Sequence, residues 1–247
     1  MKKIYTREEF ESAREQWAED LDQNQELQDK ALDVFVAADK HNWIHQTTWM
    51  GEPSLQTPED LITFQEIIFK TRPEYLVEVG VAWAGSLLFY ATIMEAIGKG
   101  KIIGIDIFMP DDLKERIMAH PLSHRIELLN VSSIDSRTLE LLKEKVKGTT
   151  DVMVHLDSDH TCEHVLKELK LYQSLVGEGH YMVCGDTIIE YFPDQKHRPR
   201  EWSRGNSPKT ALDLFLEDND RFEVDRSYDK KRLMSNQPGG YLKCTKQ

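Results

Sequence analysis

The chain alternates between stretches whose apolar positions recur every three or four residues and short runs of consecutive apolar residues. Residues 7–40 are strongly charged and place apolar side chains at Phe10, Ala13, Trp17, Leu21, Leu27, Ala31, Val34 and Phe35. Steps of mostly three, four and seven predict one or two amphipathic helices, packed as an N-terminal extension. Residues 41–56 (HNWIHQTTWMGEPSLQ) are rich in aromatic and amide groups but lack a period. They predict a loop that wraps the domain or borders a site. Thr57-Pro58-Glu59-Asp60 predicts a helix start, with Thr as N-cap, Pro in the first turn and acids behind it. That helix turns Leu61, Phe64, Ile67 and Ile68 inward and stops near Arg72-Pro73.

The stretch over 75–86, YLVEVGVAWAGS, changes the period. Leu76, Val77 and Val79 form a short apolar run around Glu78, and Gly80 ends it. Small residues then lead into a helix over 87–97, which predicts a buried strand, a tight turn and a helix. Further strands are predicted at 101–107, 125–130, 151–157 and 181–184, with helices at 138–146, 162–175 and 208–217. Two final strands, 222–225 and 240–244, suit an antiparallel edge hairpin. Alternating strands and helices predict an α/β fold, a mostly parallel sheet with helices on both faces. The expected division is a helical extension and loop over 1–56 and a larger domain over 57–247.

Composition narrows the function. Of 247 residues, 40% are hydrophobic, enough for a sizeable core, and the net charge of −12 argues against a nucleic-acid-binding surface. There is no apolar run long enough to span a bilayer and no signal-peptide pattern at the start, so a cytoplasmic protein is expected. Cys162, Cys184 and Cys244 lack zinc or CxxC spacing and read as reduced thiols. The amphipathic N-terminal helices could serve self-association, and a homo-oligomer is expected.

In parallel sheets, ligands sit beyond the carboxyl ends of the strands. Glu78, Asp106, Ser133, Asp157 and Asp186 all fall at or just past predicted strand ends. The small residues after Gly80 let backbone N–H groups approach a ligand, either a dinucleotide phosphate or S-adenosylmethionine. A carboxylate at Glu78 would meet an ammonium group and repel a pyrophosphate. Asp106 could take both hydroxyls of an adenosine ribose, a device that both cofactors use. The pattern Gly80-x-Ala82-x-x-Gly85 is one glycine short of the dinucleotide fingerprint. A nicotinamide-dependent oxidoreductase therefore stays open as an alternative, as does a non-catalytic cofactor-binding component of a biosynthetic complex.

LDSDH at 156–160 and GDT at 185–187 end neighbouring strands. Asp157 and Asp186 could hold one Mg²⁺ through oxygen ligands, with Asp159 as a reserve ligand or a helix cap. His160 could remove a proton from a metal-held hydroxyl, or simply be hydrogen-bonded there. His45, His155 and His164 carry weaker claims. Residues 188–207, holding Lys196, His197, Arg198, Arg200 and Arg204, read as a solvated loop or as a lid.

The ordered set HQTTWMGEPSLQTPEDLITFQEIIFKTRPEYLVEVGVAWAGS, IIGIDI, HRIELLNVSS, LDSDHTCEHVLKEL and PGGYL, spread over roughly 42–244, resembles the cephalosporin hydroxylase / rhamnosyl O-methyltransferase family. The resemblance implies a Rossmann-like class I methyltransferase fold and methyl transfer to a hydroxyl of a small-molecule acceptor, a sugar or natural-product scaffold. It further implies S-adenosylmethionine at Glu78, Gly80, Ser86, Asp106 and Ser133, and Mg²⁺ near Asp157 and Asp186. The chain departs from the family at Gly185, where an acid is common, so one metal ligand is expected to be missing: either Asp159 or water takes its place, or the metal is weak or absent.

Overall fold

The computed structural model describes residues 6–246. Two helices open the chain, α1 (Arg7–Asp22) and α2 (Gln25–Asp39), followed by a small antiparallel pair, β1 (Thr48–Trp49) and β2 (Glu52–Pro53). The alternating part runs α3 (Pro58–Thr71), β3 (Tyr75–Val79), α4 (Gly85–Ile97), β4 (Lys101–Asp106), α5 (Asp111–Ala119), β5 (Ile126–Asn130), α6 (Ser136–Lys145), β6 (Val152–Leu156), α7 (Cys162–Tyr172) and β7 (Tyr181–Cys184). It closes with α8 (Pro208–Glu217), β8 (Phe222–Val224), α9 (Arg226–Asp229) and β9 (Tyr241–Cys244). No helix of the described residues is long and apolar enough to cross a membrane.

The amphipathic pattern of 7–40 resolves into two helices. Thr6 and Glu9 form a reciprocal capping box at the start of α1. Helix α2 buries Ala31, Phe35 and Asp39, whereas α1 buries nothing and leaves Phe10 and Trp17 edge to face on its surface. The helix start at Thr57 forms as the sequence predicts: Thr57 Oγ1 accepts from the Asp60 N–H at 3.1 Å. Arg72 ends α3 in a left-handed conformation before Pro73. Phe64, Ile67 and Ile68 are fully buried, each contributing roughly 1.5–3 kcal/mol of transfer free energy.

The large sheet has the order β5-β4-β3-β6-β7-β9-β8. Its first five strands are parallel, and β9 runs antiparallel to both β7 and β8. This is the class I methyltransferase arrangement. The final pair is antiparallel, as expected, but it is not a tight hairpin at the edge. The connection through α9 carries β9 back between β7 and β8, so β8 forms the edge. Strand alternation splits the core into two clusters. Leu76, Ile102 and Met153 pack with Phe64, Leu87 and Leu88, whereas Val77, Ile103 and Val154 pack with Leu142, Leu169 and Phe215. Strand order reverses at β3, between β4 and β6. A crevice opens there beyond the carboxyl ends.

Candidate active site

Two cavities flank that crevice. One, of 440 Å³, is lined by the ends of β3 and β4, by Ser132 and Ser133, by Asp157, Ser158 and Asp159, and by His164. The other, of 320 Å³, lies towards residues 39–56 and the loop after β7. Gly80, Ala82, Asp157 and Ser158 belong to the walls of both.

Ladder hydrogen bonds that continue past the strand ends bring these residues together. Gly80 N–H donates to the Ile105 carbonyl at 2.8 Å, Asp157 N–H to Val79 at 2.7 Å, and Gly185 N–H to Leu156 at 2.8 Å. The turn after β3 is folded onto Asp106. Its Oδ2 accepts from the N–H groups of Val81 and Ala82 at 2.9 and 3.3 Å, and its Oδ1 from Phe108 at 2.9 Å. Ala82 and Ala84 take left-handed φ values of 46° and 66°, a strained turn of the kind found at functional sites. Asp106 and Ser133 line the larger cavity, and Ser133 Oγ lies 3.1 Å from His164 Nε2.

Glu78 departs from its expected role. It lines neither cavity and is 1% exposed. Ser86 Oγ donates to Glu78 Oε2 at 2.9 Å, and Oε1 lies 3.1 Å from His155 Nδ1. A residue one place before the strand end points into a sheet face, not over the rim. Glu78 therefore braces Ser86, which does reach the smaller cavity, instead of offering its own carboxylate to an ammonium group.

Asp157, His160 and Asp186 converge, with one ligand atom from each lying within 4.8 Å of the others. His160 Nε2 is 3.3 Å from Asp186 Oδ2, and the His160 ring meets the edge of Trp202 at 5.0 Å. All three side chains are partly open to the cavity, at 17–19% exposure. Burial pushes the Asp157 carboxyl up to about 6, the Asp186 charge adds to the rise, and His155 and His160 oppose it. Two carboxylates held this close form an oxygen donor pair that fits a hard divalent ion, with an imidazole beside them.

Asp159 is not in that group. Its Oδ1 accepts from Thr161 N–H at 2.7 Å and Thr161 Oγ1 at 2.6 Å, so it caps the turn into α7. Those hydrogen bonds also lower its pKa, although burial, the largest influence, opposes them. The expectation of a reserve metal ligand is therefore replaced by the cap.

Gly185 is not simply an acid that has been lost. A Cβ there would sit 2.7 Å from Asp157 Oδ1 and 2.8 Å from the Leu156 carbonyl oxygen. Asp157 occupies the space that a side chain would need. Gly185→Glu is accordingly expected to lower the Tm and to weaken the Tm shift given by Mg²⁺, read by thermal scans with and without the ion. A larger Mg²⁺ shift in the variant would contradict this packing argument.

Several side chains at the site had no clear signal in the sequence. His155 is fully buried under Asp157, with Nε2 3.9 Å from Asp157 Oδ2 and Tyr90 Oη 3.2 Å from Nδ1. Burial acts to lower its pKa, but the Glu78 hydrogen bond and the Asp157, Glu78 and Asp186 charges outweigh it, leaving a net rise. Gln56 Nε2 donates to Asp157 Oδ2 at 2.8 Å, and the other end of that amide meets Gln237 at 2.7 Å. Gly85 has no room for a side chain because the Pro53 carbonyl oxygen would lie 2.3 Å from its Cβ. That contact holds the 41–56 loop against α4, so the loop borders the site. His45, Arg198, Arg200 and Trp202 complete the wall of the smaller cavity.

Comparison with known proteins places the fold and the family. A rhamnosyl O-methyltransferase of Mycobacterium leprae is 30% identical over 170 residues, 64% of this chain and 70% of that protein. One from Mycobacterium tuberculosis is 28% identical over 218 residues, 84% of each chain. A CmcI structure with Mg and SAM superposes with a TM-score of 0.59 at 22% identity, over 81% of this chain and 77% of that one. A putative caffeoyl-CoA O-methyltransferase from Staphylococcus aureus gives 0.52 at 12% identity, over 85% and 89%. The structural likenesses bear on the fold alone. The family model for rhamnosyl O-methyltransferase/CmcI matches residues 41–245, and the chain belongs to that family.

Proposed function

We propose that this chain transfers the methyl group of S-adenosylmethionine to a hydroxyl of a small molecule, with the donor in the 440 Å³ cavity and the acceptor in the 320 Å³ cavity. The observation that carries this reading is the common wall. Gly80 and Asp157 border both cavities, so a donor and an acceptor can meet there. Asp106 spends three acceptances on backbone N–H groups, and its remaining lone pair is free for a ribose hydroxyl. Ile107, 75% exposed at the lip of the larger cavity, offers an apolar face to the adenine.

Asp157 and Asp186 would hold Mg²⁺. When bound, such an ion lowers the pKa of a hydroxyl it touches. His160 accepts the proton released as the acceptor oxygen attacks the methyl group. Asp186 and the Trp202 edge fix its ring, and the two carboxylates stabilise the imidazolium that forms. Family membership disfavours the nicotinamide alternative. Gly185, the best argument for a degraded site, has a packing explanation.

Calorimetry with S-adenosylhomocysteine and NAD, followed by transfer of labelled methyl groups to a panel of hydroxyl compounds, tests the reading. The expected result is binding of S-adenosylhomocysteine alone, with transfer lost in chelator and restored by Mg²⁺. Binding of NAD without S-adenosylhomocysteine would overturn it. Full transfer in excess chelator would remove the cation and leave His160 as the base.

A further inference from the structure

The smaller cavity is lined by groups of both signs, Asp157 and Asp186 beside His160, and Arg198 and Arg200 beside His45. Arg198 is already engaged: Nη1 donates to Asp39 Oδ1 at 3.2 Å and Nη2 lies 3.2 Å from His45 Nε2. Asp39 has two further partners, since Gln195 Nε2 and His197 Nε2 contact its Oδ2 at 2.7 and 3.0 Å. Arg200 differs from both. Its side chain is 13% exposed, its nearest carboxylate oxygen is Asp39 Oδ1 at 3.9 Å, and it donates no hydrogen bond to any described residue. Its Cζ lies 5.6 Å from the centroid of the Trp202 ring, which holds the guanidinium beside the cavity.

Burial first and the neighbouring Arg198 second push the Arg200 pKa down, and the Asp39 and Asp186 charges oppose that fall without cancelling it. A guanidinium whose one ion pair is as long as 3.9 Å still has its hydrogen-bond donors to offer into the cavity. Its five donors, in a planar fork, match the paired oxygens of a carboxylate or a phosphate. Phe35, Ile44 and Phe192 also line this cavity and suit a carbon skeleton.

We propose that the methyl acceptor is an acid. Its carboxylate or phosphate group binds Arg200 while the hydroxyl to be methylated lies against Asp157, His160 and Asp186. This inference rests on the methyltransferase reading, and the test separates the two. The full chain, loaded with S-adenosylhomocysteine and Mg²⁺, is titrated with matched probes and followed by ligand-observed NMR. The pairs are 3,4-dihydroxybenzoate against catechol, and glucuronate against methyl glucoside. Glucose 6-phosphate forms the phosphate arm.

At least one acid is expected to bind about tenfold or more tighter than its neutral partner. Arg200→Gln should abolish that preference without changing the affinity for S-adenosylhomocysteine, and Arg200→Lys should restore part of it. A preference confined to glucose 6-phosphate assigns a phosphate, and one confined to the other acids a carboxylate. Equal binding of acid and neutral partners, no binding of any acid, or a preference that survives in Arg200→Gln overturns the proposal and leaves the methyltransferase reading standing. Failure of S-adenosylhomocysteine to bind the wild-type chain overturns that reading instead.

Discussion

Asp157→Asn is expected to cut methyl transfer by about 10²-fold or more, to keep the affinity for S-adenosylhomocysteine, and to raise the Tm of the chelated protein at pH 7.5. The stability gain follows from how this carboxyl titrates. In the fold, burial first and the Asp186 charge second push the Asp157 carboxyl from 3.8 up to about 6. As pH rises, the unfolded chain therefore releases this proton before the folded chain does. Between about pH 4 and 6 the folded state binds more protons, so stability falls as pH rises and stays at the lower level above 6. Asparagine keeps an oxygen for the Gln56 amide but carries no charge, so it escapes that loss. Each kcal/mol regained is worth about 2–4 °C in a chain of this size.

At pH 4, near the unfolded value, the gain should largely vanish. With Mg²⁺ present the order reverses, because only the wild type keeps both carboxylates. Metal affinity should itself weaken as pH drops through about 6. Thermal scans at the two pH values, with chelator and with Mg²⁺, decide the matter. An Asn variant less stable than wild type in chelator at pH 7.5 would mean that Asp157 acts as a structural anchor. Full activity in that variant would remove it from the reaction.

The sequence makes the rim legible because strand ends follow from period and punctuation. Asp106 is the last residue of β4, Asp157 lies one past β6 and Asp186 two past β7, and all three reach the crevice. Glu78 breaks the pattern for a reason the sequence contains. Being one place before the end of β3, it shares the parity of Leu76 and faces the core. Asp159, three residues before the first residue of α7, was readable either way, as a turn-forming acid or as a ligand. Other contributions could not be seen. Gln56 reaches Asp157 across 101 positions of sequence, and no local period records that contact. The loop at 188–207 offered five basic candidates, and only the fold shows that Arg198 is hydrogen-bonded to Asp39 while Arg200 has only a long ion pair to it. Gly185 looked like a missing ligand because spacing alone does not show that Asp157 occupies the room beside it.

Gly80→Ala should produce the largest loss of stability of any single change considered, and the reason differs from the one its sequence suggests. A glycine at the start of this turn reads as room for a ligand. In the fold, a Cβ at Gly80 would stand 2.1 Å from the Asp157 carbonyl oxygen and 2.9 Å from Ser158 Cα, both main chain. The missing side chain is what lets β3 and β6 close up beyond their last ladder bonds, and that closure sets Asp157 between the two cavities. Gly80 also has φ of +93°, which costs alanine about 1 kcal/mol before any contact is counted. Gly98 provides the control. Its φ is +71°, but a Cβ there would meet nothing within 4 Å. Gly98→Ala is expected to cost about 1 kcal/mol and Gly80→Ala about 3 kcal/mol or more, read from urea midpoints at constant m. The excess measures the close approach of the two strands, separated from backbone strain. Because that approach positions Asp157, the Gly80 variant should also lose Mg²⁺-dependent stabilisation, while the Gly98 variant keeps it. Equal costs in the two variants would show that the β3–β6 junction yields easily and that Gly80 is selected for the turn alone.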